Sequence, residues 1–217
     1  MRQDKSYRAP LSARARFFFA LAVLTLLAEP AAAHHVMGGR MPATFGEGFL
    51  SGLGHPILGL DHLAAIVAVG CIAASQRRGA MLVIGFVMAM MAGTAVHVGE
   101  ATIPASEILV ALSVIVLGIV MLLRSLSSAM ALALFALAGF FHGYALGESI
   151  AGAEPTPLYA YLAGLAIIQS GIALAAMTAG RRSAARPAFE PARLRLIGAG
   201  IVGIGLAVLA QQIVPGA

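Results

Sequence analysis

Charge is what this sequence has least of. Asp, Glu, Lys and Arg make up 11% of its 217 residues, against about 25% in an ordinary soluble domain. No long polar block interrupts the chain, so there is no room for a separate soluble domain. Cys71 is the only cysteine, which excludes an intrachain disulfide and a thiolate metal cluster. Lying in an apolar run, it reads as a small core residue. Trp is absent, so the usual interfacial aromatic belt is thin. No G-x-x-x-x-G-K-[ST] run occurs, which excludes ATP hydrolysis by that route.

What is present is apolar. Hydrophobic residues make up 60% of the chain, and mean hydropathy is +0.92. This composition predicts an all-α polytopic membrane protein. The isoelectric point near 10.1 does not predict nucleic-acid binding. The basic residues sit in short clusters between apolar runs rather than on one soluble face.

The amino terminus has the pattern of a cleaved signal peptide. Arg2, Lys5, Arg8, Arg14 and Arg16 precede an apolar core at 17–28, and Glu29-Pro30-Ala31-Ala32-Ala33 supplies a small-residue cleavage site. The competing reading is a retained first membrane helix, but that core is short of the roughly 20 residues a span needs. Cleavage after Ala33 divides the chain into a signal at 1–33 and a membrane domain at 34–217. It leaves His34 and His35 beside a free α-amine, a candidate metal-capture site.

Six apolar runs follow, at about 56–75, 79–98, 105–123, 128–146, 157–180 and 196–214. Each is close to the length that crosses about 30 Å of hydrocarbon as a helix. Arg77, Arg78, Arg124, Arg181, Arg182, Arg186, Arg193 and Arg195 all fall in the first, third and fifth loops. The positive-inside rule puts those loops in the cytoplasm and both mature termini in the periplasm. The fifth loop is the longest, and no internal repeat is evident.

Imidazole and carboxylate inside such runs are functional candidates by default. With this topology, His55, Asp61 and His62 lie in the outer half of span one, His97 and Glu100 at the outer end of span two, Glu107 near the start of span three, and His142 and Glu148 in the outer part of span four. For any one histidine, an interhelical hydrogen bond is the plain explanation. Three spans carrying His with acid on one side point instead to a metal or proton path. Pro56 suits a first helical turn, which would put His55 at a helix mouth. In a regular helix His55 and His62 share a face roughly 10 Å apart. One metal ion cannot bind both. They are therefore successive stations, or the helix breaks near Gly59. Asp61 is either a ligand or the partner that sets an imidazole's tautomer. His97 and Glu100 share a face if their helix runs that far. Met37, Met41, Met88, Met90 and Met91 read as core, and Gln169 as a packing hydrogen bond. Imidazole with carboxylate suits Ni2+, Co2+ or Zn2+, and not Mg2+, Ca2+ or a soft metal.

His55-Pro56-x-x-Gly59-x-Asp61-His62, with Val69-Gly70 following, resembles the signature of the HupE/UreJ proteins. Phe141-His142-Gly143-Tyr144-Ala145-x-Gly147-Glu148 resembles that family's second signature. The resemblance covers about residues 31–217. Leu146 and Gln169 stand where many members carry histidine. The resemblance implies six membrane helices after a cleaved signal, and a small secondary permease for nickel, sometimes cobalt, linked to hydrogenase or urease maturation. His55, Asp61, His62, His142 and Glu148 would be its metal-path residues; His97, Glu100, His34 and His35 join them on the residues alone. The expected substrate is Ni2+ before Co2+, with no permanently bound cofactor. The expected partners are the lipid bilayer, a second copy of the chain and a nickel enzyme, with no nucleic acid, and the expected site is the bacterial inner membrane. The alternatives are an intramembrane zinc hydrolase, with His ligands and an acid as general base, and a membrane partner in metalloenzyme assembly.

Overall fold

The computed structural model describes residues 40–123, 126–184 and 191–214. The expected signal peptide, His34, His35, Met37, Arg124 and Arg186 lie outside the described residues. The described chain is all helical: α1 (Phe45–Leu58), α2 (Leu60–Ala74), α3 (Gly79–Val98), α4 (Ser106–Leu123), α5 (Ser128–Gly147), α6 (Pro155–Ala184) and α7 (Pro191–Ile213). Helices are what an apolar environment demands, since lipid cannot satisfy free backbone N–H and C=O groups.

The first expected span differs from the structure in an informative way. Its helix does not begin at Pro56 but at Phe45, because Thr44 and Glu47 form a capping box. The Thr44 hydroxyl accepts from Glu47 N at 3.2 Å, and the Glu47 carboxylate accepts from Thr44 N at 3.2 Å and Ala43 N at 2.8 Å. Three otherwise orphan donors are thereby satisfied. Pro56 lies inside the last turn of α1, where it removes a helical N–H and crowds the preceding carbonyl. Gly59 then adopts an extended conformation (φ −75°, ψ 104°), and α2 departs at 79° to α1.

Neither piece alone reaches the roughly 20 residues of a span. Together they follow α6 along its length. Gly48 and Gly52 press on Pro157 and Tyr161 near the start of α6, Gly70 on Ala173, and Ala74 on Gly180 near its end. A re-entrant loop would return to the end it left; this pair continues to the other. It is one broken crossing, and α3 to α7 supply the other five long apolar helices. The chain is a multi-pass membrane protein.

α2 is the axis of the bundle, in contact with every other helix. Ala64, Ala65, Ile66, Ala68, Val69, Ile72 and Ala73 are buried along it. The outer helices are apolar on their outward faces too: Met81, Ile84 and Met88 on α3, and Leu112, Val116 and Ile119 on α4, are exposed. A lipid-facing surface reads this way.

The two ends differ in charge. At one, Arg181 donates to Ala74 O (3.4 Å) and Gln76 O (3.2 Å), capping the carboxyl end of α2, where carbonyls lack helical partners. Gln76 joins this end to the start of α5: its Nε2 donates to Leu126 O at 3.0 Å, and its Oε1 accepts from Ser128 Oγ at 2.7 Å. At the other end, Tyr144 Oη donates to Ala101 O and accepts from Ile103 N, both at 2.8 Å, fastening α5 to the loop after α3.

Candidate functional site

The break at Gly59 forms an elbow, and the elbow gathers imidazoles. His55, in the last turn of α1, and His62, in the first turn of α2, are both buried at 7% exposure. Their ring centroids are 6.4 Å apart, closer than the roughly 10 Å a continuous helix would impose. The backbone hydrogen bonds close over the bend: Gly59 N donates to His55 O (3.0 Å), and Leu63 N to Gly59 O (2.9 Å). Asp61 Oδ1 accepts from His62 N at 2.8 Å, so its charge sits on the amino end of α2, where a carboxylate is favoured.

From His62 a buried chain of hydrogen bonds leads outward. His62 Nδ1 lies 2.7 Å from His142 Nδ1 on α5. His142 Nε2 lies 2.9 Å from Ser113 Oγ on α4, and that hydroxyl donates to Val110 O at 2.8 Å. With the serine proton on Val110 O, His142 Nε2 donates to Ser113, His142 Nδ1 accepts and His62 Nδ1 carries the proton of the pair; with the serine proton on His142 Nε2, the pair runs in the opposite sense. The sequence singled out both histidines; Ser113, to which their tautomers are coupled, was not among the expected residues. Its only signal is a lone hydroxyl within an apolar run.

Two further contacts hold this geometry. Tyr161, fully buried, meets His55 edge-on at 6.4 Å. Its hydroxyl donates to Leu146 O at 2.8 Å and lies 3.1 Å from Ser149 Oγ. α6 is thereby tied to the end of α5 beside the elbow. On the other side, α3 and α5 approach through Gly139, Gly143 and Gly147 at four-residue spacing. A Cβ added at Gly143 would overlap the Met90 carbonyl, so this is a small-residue helix contact of the kind membranes favour. Thr94 Oγ1 lies 2.8 Å from Gly143 O and 3.1 Å from Met90 O. The close approach fixes the rotation of α5 and hence the direction of His142.

The remaining candidates divide into two groups. Glu107, in the first turn of α4, lies within electrostatic reach of Asp61 and Glu148. Three acids from three parts of the chain thus lie near one another at the elbow's end of the bundle. The second group is His97 and Glu100, and here the shared helix face does not form. α3 stops at Val98, and Glu100 takes a left-handed conformation (φ 63°) just beyond Gly99. His97 instead tilts against Tyr144 at 4.5 Å, and its Nδ1 is buried with no hydrogen-bond partner among the described residues. Among the described residues, no group of three or more His, Cys, Asp or Glu side chains is arranged to hold one metal ion. His55, His62 and His142 form a row of neighbours rather than a closed cage.

The comparisons with known proteins agree with the motifs that meet at this elbow. A family model described as "HupE / UreJ protein" matches residues 21–208. "Protein HupE" of Rhizobium leguminosarum bv. viciae is 30% identical over 164 residues, which is 73% of this chain and 83% of that protein. No solved structure matches the chain. With a match running from before the first described helix into α7, this membrane protein belongs to the HupE/UreJ family.

Proposed function

We propose that the chain is a secondary permease for a divalent transition metal ion, Ni2+ before Co2+. Its entrance is the acid-bearing end of the bundle. Membership of a family associated with nickel and cobalt transport supports the metal-permease role. The observation that carries it to this site is the buried His62–His142 pair, 2.7 Å between Nδ1 atoms, at the break of a membrane span.

The chemistry follows from that distance. At 2.7 Å the two nitrogens share a proton and leave no room for an ion between them. Two nitrogens each 2.0–2.1 Å from a tetrahedral metal stand roughly 3.3 Å apart. An opening of about half an ångström, with both Nδ1 atoms left free of protons, turns the pair into two ligands. Neutral imidazole with nearby carboxylate and no thiolate suits a borderline ion. A site with two imidazoles and an incomplete remainder binds weakly enough to release its ion, which conduction requires.

Asp61, Glu107, Glu148 and Glu100 would raise the local concentration of cations at the mouth. His55 would receive the ion and pass it to His62 and His142, with His97 as a neighbouring station. His34 and His35, as the new amino terminus, would capture the ion before entry. The arginine-bearing end would face the cytoplasm of a bacterial inner membrane, with both termini periplasmic. Inward flux of a divalent ion would then gain about 4.6 kcal/mol per 100 mV. A nickel enzyme such as hydrogenase or urease is the proposed destination of the metal.

Radioactive nickel uptake tests this in cells lacking their own high-affinity nickel system. Uptake should require the chain and collapse in His62→Ala at matched membrane abundance. Equal uptake with and without the chain would end the proposal.

A further inference from the structure

Among the described residues, Gln169 is a fully buried side chain with both polar atoms unpartnered, lying in the middle of α6 at 0% exposure. Buried amides are hydrogen-bonded as a rule, and an exception calls for a bound water, an ion or a functional role. Packing does not demand glutamine here. Gln169 belongs to a buried stripe at four-residue spacing that runs from Pro157 to Met177, and its neighbours there, Leu165 before it and Ala173 and Met177 after it, are apolar. An apolar residue would fit the stripe and avoid burying an unsatisfied amide.

The position of that stripe makes the amide meaningful. One turn before Gln169, Leu165 N lies against Gly52 of α1; one turn after it, Ala173 O lies against Gly70 of α2. Between Gly52 and Gly70 runs the elbow with His55, Gly59 and His62. Tyr161, which meets His55, is two turns earlier on α6, about 12 Å along the axis. Gln169 is therefore deeper in the bundle than His55, on the flank of α6 that borders the elbow.

We infer that Gln169 is a cation-binding group of the transport path, its side-chain carbonyl oxygen meeting the ion after the His62–His142 pair. The inference rests on the permease reading of that pair and extends the path inward. An amide oxygen beside imidazole suits an ion of intermediate hardness. It carries no charge of its own, so the ion is held without being trapped.

The test compares wild type with Gln169→Met, nearly the same shape without the polar atoms, and Gln169→His, which restores a ligand. Each is purified in detergent for equilibrium binding of radioactive nickel chloride and thermal melting, and reconstituted in vesicles for uptake, with His62→Ala as reference. Gln169→Met should melt at or above the wild-type temperature, since a buried amide without a partner is lost. Its nickel affinity should fall at least tenfold, and Gln169→His should regain it. Nickel binding within threefold of wild type in Gln169→Met would overturn the inference and leave the amide with a resident water only. Unfolding of Gln169→Met would overturn it too, by showing a structural hydrogen bond, as would a wild-type protein that binds no nickel. The two readings separate cleanly. Uptake that survives in Gln169→Met but collapses in His62→Ala ends this inference alone. Nickel binding that needs Gln169 in a protein that moves no ion ends the permease reading and the place of Gln169 on a path, and leaves the amide as a ligand of a static site.

Discussion

His62 and His142, eighty positions apart in the chain, meet Nδ1 to Nδ1 at 2.7 Å, both buried among the helices. The contact is one hydrogen bond, and its direction is coupled to Ser113, whose hydroxyl lies 2.9 Å from the far nitrogen of His142. Two neutral imidazoles in opposite tautomers satisfy this contact, and in the proposed permease the same two rings would become a metal-binding pair once they part and leave both Nδ1 atoms free of protons. Substitutions at Ser113, Gly59, Gly143 and Asp61 probe what holds them in place.

Ser113→Ala removes the hydrogen-bond partner of His142 Nε2. A buried polar group left without a partner costs about 1–3 kcal/mol, and the coupling of the pair to the hydroxyl is lost. The purified variant should melt several degrees lower, and the KM for nickel uptake should rise. Ser113→Thr, which keeps the hydroxyl, should recover most of both. Unchanged melting and uptake in Ser113→Ala would show that the hydroxyl does not control the pair.

Gly59→Ala acts on the elbow without straining its backbone, because φ −75° and ψ 104° are open to alanine. The new Cβ would lie 2.7 Å from His62 Cδ2 and 3.2 Å from Asp61 Oδ1. The His62 ring must turn to make room. Folding should be retained within about 1–3 kcal/mol, while uptake at limiting nickel falls at least several-fold. Wild-type uptake in a variant inserted at normal abundance would refute a fixed orientation for His62.

Gly143→Ala puts a methyl group into the Met90 carbonyl and forces α5 away from α3. Overpacking of this kind costs about 1–3 kcal/mol, and here it also displaces His142. Both melting temperature and uptake should fall. Gly171→Ala is the matched control, since a Cβ there meets nothing within 4 Å; it should leave both unchanged.

Asp61 has two separable roles. Its carboxylate accepts from His62 N in the first turn of α2, and its charge contributes to the acid group with Glu107. Asp61→Asn keeps the acceptor and removes the charge, so stability should hold while KM rises. Asp61→Ala loses both and should cost a further 0.5–1.5 kcal/mol or so of stability. Equal behaviour of the two variants, in uptake and in melting, would mean that the charge carries no part of the effect.

Much of this was legible in the sequence, for physical reasons that can be named. Imidazoles and carboxylates stand out in apolar runs, so His55, Asp61, His62 and His142 were evident without a structure. The helix break was one of two alternatives, since seven-residue spacing fits either a long face or a bend at Gly59. The early start of α1 was missed because Gly46, Gly48, Gly52 and Gly54 weaken the helical pattern, although Thr44 and Glu47 carried the capping signal. His97 and Glu100 looked like a pair, but the helix ends at Val98 and the left-handed Glu100 turns the chain away. The pairing of His62 with His142 was not readable. It depends on the rotation of α5, which is set by backbone contacts at Gly139 and Gly143 across the bundle. Ser113 acquires its meaning only from the ring beside it, and Gln169 only from its burial without a hydrogen-bond partner among the described residues.

If an ion passes through the His62–His142 pair, radioactive nickel should enter sealed vesicles that contain only the purified protein. With an inside-negative potential, wild type should accumulate nickel, His62→Ala and His142→Ala should each lose at least nine-tenths of the initial rate, and excess Co2+ should compete. Nickel accumulation by both variants at the wild-type rate would contradict the account, and so would a correctly folded wild-type protein that moves neither metal.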